Sequence, residues 1–377
     1  MSRRILLIAA SLIIFILLYI WLNSYTRNAT FWTVVQTQQY YYDFLDEDVT
    51  LSGKQNNENF VRSNEGQKHF IFRHESRIYK GKAGFTNDFD KILADLDLLP
   101  EENVSITSVE KFGSFSWSQE YVFLTAFSNN HYGEATNLLK SISQVYPKQK
   151  VLTVYNLGLS EGNIAHMQTF FPSIIREVVN FNFTNYPAYV GDLTQYRWKS
   201  LIIAQELKKH RGQNLVWMDS SILLKKPLPM SAHLFKDKKP YSSWLLFDQT
   251  GHSIFAATNP LMYNFLPLPK FAYKSLMIGA NLQIIFSGIN TPPNRFVAEW
   301  WVRCSLDPHC MAPHGSHLRC DFQNPDGHSD RFGRYGNCHR FDQSALNILL
   351  AWINGFNTSL YGEGHELFKD TFAVERI

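Results

Sequence analysis

From Tyr121 onward the chain alternates between short apolar runs of strand length and longer segments of helical periodicity, and no other feature restricts its fold as much. Tyr121–Phe127 (YVFLTAF) reads as a buried strand, and 134–145 follows with Leu138, Leu139, Ile142 and Val145 on one helical face. Residues 151–157 form the next strand. Ser160 then caps a helix through Phe171 that Pro172 ends, and 177–183 is a third strand. A long helix is expected over 194–210. Its stripe of Leu193, Tyr196, Ile203, Ala204 and Leu207, with Trp198 and Ile202 opposite, suggests cover on both faces. A fourth strand, 215–218, ends in Asp219-Ser220-Ser221. The pattern predicts an α/β domain with a mostly parallel sheet flanked by helices and ligands beyond the carboxyl ends of the strands. Past Lys226 the order loosens, with strands expected near 242–247 and 276–286 and helices near 260–266, 295–306 and 342–352. Residues 118–377 are within range for one domain.

The segments before this domain read differently. Residues 5–22 are an apolar run broken only by Ser11, long enough to cross a hydrocarbon core of roughly 30 Å as a helix. Arg3 and Arg4 precede it and Arg27 follows, a bias that leaves residues 1–4 cytoplasmic and the rest lumenal or extracellular. A cleaved signal peptide is the alternative, but the run is long for one and ends in Tyr19-Ile20-Trp21-Leu22 rather than in small residues. Residues 23–117 read as an irregular stem with one helix over 88–99, where Phe89, Ile92, Leu93 and Leu96 recur before Pro100.

Four glycosylation sequons, at Asn28, Asn103, Asn182 and Asn357, agree with a secretory compartment, although Asn182 falls in strand-like sequence. The four cysteines Cys304, Cys310, Cys320 and Cys338 fall in one stretch, which in an oxidising compartment implies two local disulfides. Of three possible pairings, Cys304 with Cys310 and Cys320 with Cys338 is preferred. Five histidines share the stretch, so a zinc site competes, but gaps of 5, 9 and 17 residues match no common zinc pattern. The formal net charge of +3 is small and its basic residues are dispersed, so nothing calls for nucleic acid.

Two carboxylates stand out as candidates for chemistry. Asp219 at a strand end could hold Mg²⁺ or Mn²⁺ against a diphosphate, which takes few protein carboxylates; the plainer account is a turn built by Asp and Ser. Asp342 lies on the face of its helix that carries Ala345, Leu346, Leu349 and Ile353, so it serves as a cap and also as a base or hydroxyl ligand beside His339 and Arg340. Arg197 and Lys199 near the start of the long helix could meet a diphosphate, or be solvated surface charges. His365 is a candidate late metal ligand. Serine hydrolase, zincin, P-loop and Rossmann readings all lack their marker motif.

Phe123-Leu124-Thr125-Ala126-Phe127-Ser128, Tyr196-Arg197-Trp198-Lys199, Val216-Trp217-Met218-Asp219-Ser220-Ser221 and the segment from Cys338 through Asn347 resemble an uncharacterised family expanded in nematodes. Its members are membrane-anchored and similar to family 8-like nucleotide-diphospho-sugar transferases of the GT-A fold. The resemblance covers roughly 118–377. It implies a nucleotide-sugar donor over Thr125 and Ala126, Asp219 at a metal position with Ser221 beside it, Asp342 and Gln343 on the acceptor side, and His365 as a further metal position. One departure is plain: Ser221 stands where such enzymes carry a second aspartate, which puts use of Mn²⁺ or Mg²⁺ in question. The expectation is a single-pass membrane glycosyltransferase of the Golgi or ER acting on a glycan or glycoprotein; the alternative is a lumenal binding protein or pseudoenzyme.

Overall fold

The computed structural model describes residues 67–75, 77–99, 121–228, 241–324, 326–362, 368 and 370–374. The apolar run 5–22, Asn28, Asn103 and His365 lie outside these, and no helix among the described residues is long and apolar enough to cross a membrane.

Residues 67–99, expected to belong to an irregular stem, are folded against the domain. Strands β1 (Gln67–Lys68) and β4 (Phe85–Thr86) pair antiparallel, as do β2 (Ile71–His74) and β3 (Arg77–Lys80), and helix α1 is Asp90–Asp95. Phe70, Phe72 and Phe85 are buried in an aromatic nest. Phe70 meets Trp300 at 5.2 Å between ring centroids, and Phe72 meets Trp352 at 5.1 Å. Aromatic burial of this kind contributes on the order of 2 kcal/mol per ring, enough to order strands too short to be read from periodicity. The expected helix over 88–99 is only α1 preceded by a 3-10 turn, because Asp97 turns left-handed (φ 57°).

The central sheet has six strands: β5 (Tyr121–Phe127), β6 (Leu152–Asn156), β7 (Ile175–Asn180), β8 (Asn214–Met218), β10 (Trp244–Ser253) and β11 (Leu276–Ile285). Two short strands, β9 (Ile222–Leu224) and β12 (Phe372–Val374), pair beside it. The order is β10-β11-β8-β5-β6-β7. The pairs β5 with β6, β6 with β7 and β5 with β8 are parallel, whereas β11 pairs antiparallel with both β8 and β10. The expected mostly parallel sheet is therefore mixed. A parallel neighbour needs a long crossover, usually a helix. Between β10 and β11 the chain makes only 3-10 turns, and the helix expected at 260–266 is one of them, Pro260–Asn264, with Pro267 and Pro269 close behind.

Helices cover both faces. On one, α2 (Tyr132–Val145) lays Leu138, Leu139 and Ile142 against Phe123, Phe127, Val216 and Met218. Helix α3 (Glu161–Phe170) starts on Ser160, whose Oγ accepts the Asn163 N–H, as a capping serine should. The other face carries α4 (Arg197–Lys209), α5 (Pro292–Leu306) and α6 (Phe341–Ile353), followed by the short α7 (Ser359–Gly362). α4 is buried on nearly every side, in line with its two apolar faces. The disulfides are Cys304–Cys310 and Cys320–Cys338, the preferred pairing. β7 ends before Phe181, so Asn182 sits exposed in a turn with its Oδ1 accepting from Thr184; Asn357 is likewise exposed, its Oδ1 accepting from Ser359.

Candidate functional site

β5 leads through α2 to β6 on one side, while β8 comes back to pair on the other side of β5. Open α/β sheets bind ligands beyond the strand ends at such a reversal. Asp219 directly follows β8 there, and its N–H donates to the Asn281 carbonyl of β11 at 2.8 Å. The register that sets Phe123 opposite Val216 and Leu124 opposite Trp217 places Asp219 on the same face as Trp217, under α4 and α6.

Three charges converge on this face. Lys199, in the first turn of α4 and 2% exposed, reaches Asp219 Oδ1 at 2.9 Å and Oδ2 at 3.2 Å. Its Nζ also lies 3.1 Å from Asp342 Oδ2 in the first turn of α6. Asp219 Oδ1 accepts a second hydrogen bond, from the Trp217 indole at 2.7 Å. The Tyr196 and Trp217 rings stand 5.6 and 5.7 Å from the ammonium, within cation–π range. Burial alone would lower the Lys199 ammonium, but the two carboxylates outweigh it and hold Lys199 above the usual lysine range. Burial also pushes the Asp342 carboxyl up, against the pull of Lys199. One buried cation thus serves two carboxylates.

Backbone conformation places these helices. Tyr196 (φ 54°) and Phe341 (φ 40°), the residues at which α4 and α6 begin, are both left-handed, a rare setting for bulky side chains, and their rings lie 6.3 Å apart. α6 is braced on β11 from its polar side. Asn347 accepts from the Ile278 N–H and donates to the Ile278 carbonyl, each at 2.8 Å, and Gln343 Oε1 accepts from the Ala280 N–H at 3.3 Å.

Of the expected site residues, the structure brings Lys199, Asp219 and Asp342 together and sends others elsewhere; the Gln343 amide is spent on the Ala280 N–H and the Met277 sulfur of β11. Arg197 is not free to meet a phosphate. Its guanidinium donates to the carbonyls of Ser305, Asp307 and Pro308 at 2.8, 2.6 and 3.0 Å, closing the C-terminal end of α5, and burial lowers its pKa to about 10. Thr125 is buried on the α2 face with Phe123 and Phe127, whereas Ala126 is on the face of Asp219. Ser220 donates to Glu134 of α2 at 2.9 Å, and His131 lies 3.2 Å from the same carboxylate oxygen. Ser221 completes the turn in which the Ile222 N–H donates to the Asp219 carbonyl. His339, expected beside the cleft, is instead a buried neutral anchor. Its Nδ1 accepts from the Asn259 N–H at 3.1 Å, so Nε2–H donates to the Met311 carbonyl at 3.0 Å, and burial lowers its pKa to about 3. Trp217, Glu134, Asn281 and Tyr196 are not among the expected site residues, although Trp217 and Tyr196 stand in the segments that carry the resemblance. Only Trp217, a large aromatic next to a strand-end Asp, carried a signal that could have been used.

A divalent cation would find little here. Both Asp219 oxygens are already engaged, Ser221 offers no charge, and among the described residues no group of three or more His, Cys, Asp or Glu is placed to hold a metal. The described residues do not fit one.

A family model described as "Protein of unknown function (DUF1647)" matches residues 61–204, a span that includes Lys199 and stops short of Asp219 and Asp342. No curated protein matches. Among solved structures the chain is similar to a galactosyltransferase, LgtC, in complex with donor and acceptor sugar analogs, at 16% identity over 60% of this chain and 69% of that one, with a TM-score of 0.30. It is also similar to mouse xyloside xylosyltransferase 1 (8% identity, 63% and 83% covered, TM-score 0.34) and to the S. cerevisiae mannosyltransferase Ktr4p (11%, 57% and 70%, TM-score 0.29). These likenesses are too loose to assign an activity.

Proposed function

We propose that this chain is a single-pass membrane glycosyltransferase of the Golgi or ER, with its domain in the lumen, that moves a sugar from a nucleotide-sugar donor to a glycan or glycoprotein. The observation that carries the reading is the meeting of Asp219, Lys199 and Asp342 beyond the carboxyl end of β8, where the strand order reverses. Carboxylates accept hydrogen bonds from sugar hydroxyls. In the transfer, the anomeric carbon loses its bond to the diphosphate oxygen and gains one to the acceptor oxygen. Asp342, whose pKa burial raises, suits the acceptor hydroxyl and receives its proton, while Lys199 holds the two carboxylates in place. The apolar run behind Arg3 and Arg4, the exposed sequons at Asn182 and Asn357, and two disulfides support the compartment.

A second reading, a lumenal binding protein without turnover, draws on one observation: Lys199 already neutralises much of the charge that catalysis would use. A thermal-shift screen of the full-length protein against nucleotide sugars, followed by an assay for release of nucleoside diphosphate, separates them. Stabilisation with release supports the transferase, stabilisation without release at any acceptor tried supports the binding protein, and no stabilisation defeats both.

A further inference from the structure

We propose that the Lys199 ammonium occupies the cation position of this site, so that ligand binding here proceeds without a divalent metal. The inference deepens the transferase reading and rests on it for the identity of the ligand, but not for the metal-free part of its test.

The argument is one of occupancy. Lys199 Nζ stands between Asp219 and Asp342, at 2.9 and 3.1 Å from their nearest oxygens. A Mg²⁺-sized ion would need carboxylate oxygens at roughly 2.0–2.1 Å. An ion bound to Asp219 would sit beside the ammonium, which lies within 3.2 Å of both carboxylate oxygens while the Trp217 indole takes a further site on Oδ1, and Asp342 Oδ2 lies against the same ammonium. A second cation beside a buried ammonium is repelled in a medium that screens poorly. Nor can Lys199 readily swing out: its side chain is 3% exposed and is lined by the Tyr196 and Trp217 rings. The neighbouring position of the strand-end motif makes the same point, since Ser220 is spent on Glu134 and Ser221 brings no charge. The site therefore has two carboxylates and a fixed monovalent cation between them.

It follows that removing the ammonium should create the metal site that the wild type lacks. The full-length protein in detergent is titrated with Mn²⁺ alone, without nucleotide, and its melting is followed. The wild type and Lys199→Arg should shift by less than about 1 °C, while Lys199→Ala, less stable at the outset, should gain about 3 °C or more from Mn²⁺. Should Lys199→Ala melt without cooperativity, Lys199→Gln takes its place, as it keeps most of the side-chain volume. Comparable Mn²⁺ stabilisation of the wild type overturns the proposal, as does a folded neutral variant that ignores Mn²⁺. A separate arm adds UDP-sugars and GDP-sugars to the wild type in EDTA or in Mn²⁺. Equal shifts support the proposal, and a shift seen only with Mn²⁺ overturns it while sparing the transferase. No shift with any nucleotide sugar defeats the transferase and leaves the Mn²⁺ titration to decide this proposal.

Discussion

The half of the sheet built from β5, β6, β7 and β8 and the half built from β10 and β11 are held together by different means. In the first, parallel ladders and apolar helix faces suffice: Leu138, Leu139 and Ile142 of α2 meet Phe123 and Val216, and few buried side-chain amides take part. In the second, buried polar side chains replace missing backbone partners. Asn347 pairs with both backbone groups of Ile278, Asn294 donates to the Phe286 and Gly288 carbonyls, and His339 joins Asn259 to Met311. The difference shows why one half follows local periodicity and the other does not. Hydrophobic repeats encode the first, while the second depends on side chains meeting backbone far away in sequence.

Lys199 is where the contrast can be broken most forcefully, because it lies on α4 of the regular half and pairs with Asp342 of the irregular one. Lys199→Ala should cost about 3–5 kcal/mol in urea unfolding, the usual result of stranding buried charge. A cost below 1 kcal/mol would mean that the ion pairs add little to the β8–β11 ladder and the apolar packing that also join the halves. Acid should act on the irregular half first. His339 has a folded pKa of about 3, depressed by burial, so its neutral form stabilises fully above the ordinary histidine value near 6.5. That contribution is lost as pH falls from about 6.5 toward 3, amounting to about 3 kcal/mol between pH 7 and pH 4. Hydrogen exchange at pH 4 should then show Asn259 and Met311 opening before β5; simultaneous opening would refute the ordering. Asn347→Ala leaves the Ile278 N–H and carbonyl unpaired and should cost about 2 kcal/mol, read as a lowered urea midpoint. The smallest effect is expected from Asp219→Asn, about 1 kcal/mol with the fold intact, since Asp219 is partly exposed and Lys199 keeps Asp342. A loss as large as that of Lys199→Ala would show that Asp219, not Asp342, is the main anchor of the ammonium.

Legibility in the sequence follows the same divide. β5 runs over the seven residues expected of it, Ser160 caps its helix, and Asp219, Asp342 and Lys199 could be singled out one by one. Their relationship could not. An Arg and a Lys two residues apart on a helix look interchangeable, yet they point to opposite ends of the site: Arg197 to the carbonyls at the end of α5, Lys199 to the carboxylates. The folded state of 67–99 was hidden because its strands are two to four residues long and owe their order to Trp300 and Trp352, more than 200 residues away. Between β10 and the reversed β11, a segment with helical spacing makes only a 3-10 turn, Pro260–Asn264, with Pro267 and Pro269 close behind.

Tyr196 and Phe341, in their left-handed backbone, bear on how this protein could be improved by design. An engineer seeking heat resistance would put glycine at both, since the conformation costs any bulky residue of order 1 kcal/mol or more that glycine does not incur. Each change would relieve a helix start and also delete one of two rings that touch where α4 and α6 begin, a turn or less from Lys199 and Asp342. At Phe341, whose ring is buried, losing that ring costs about 3–5 kcal/mol and outweighs the relief, so the melting temperature falls and the registry between the two helices loosens. At these two positions, backbone strain alone is a misleading criterion for selecting variants.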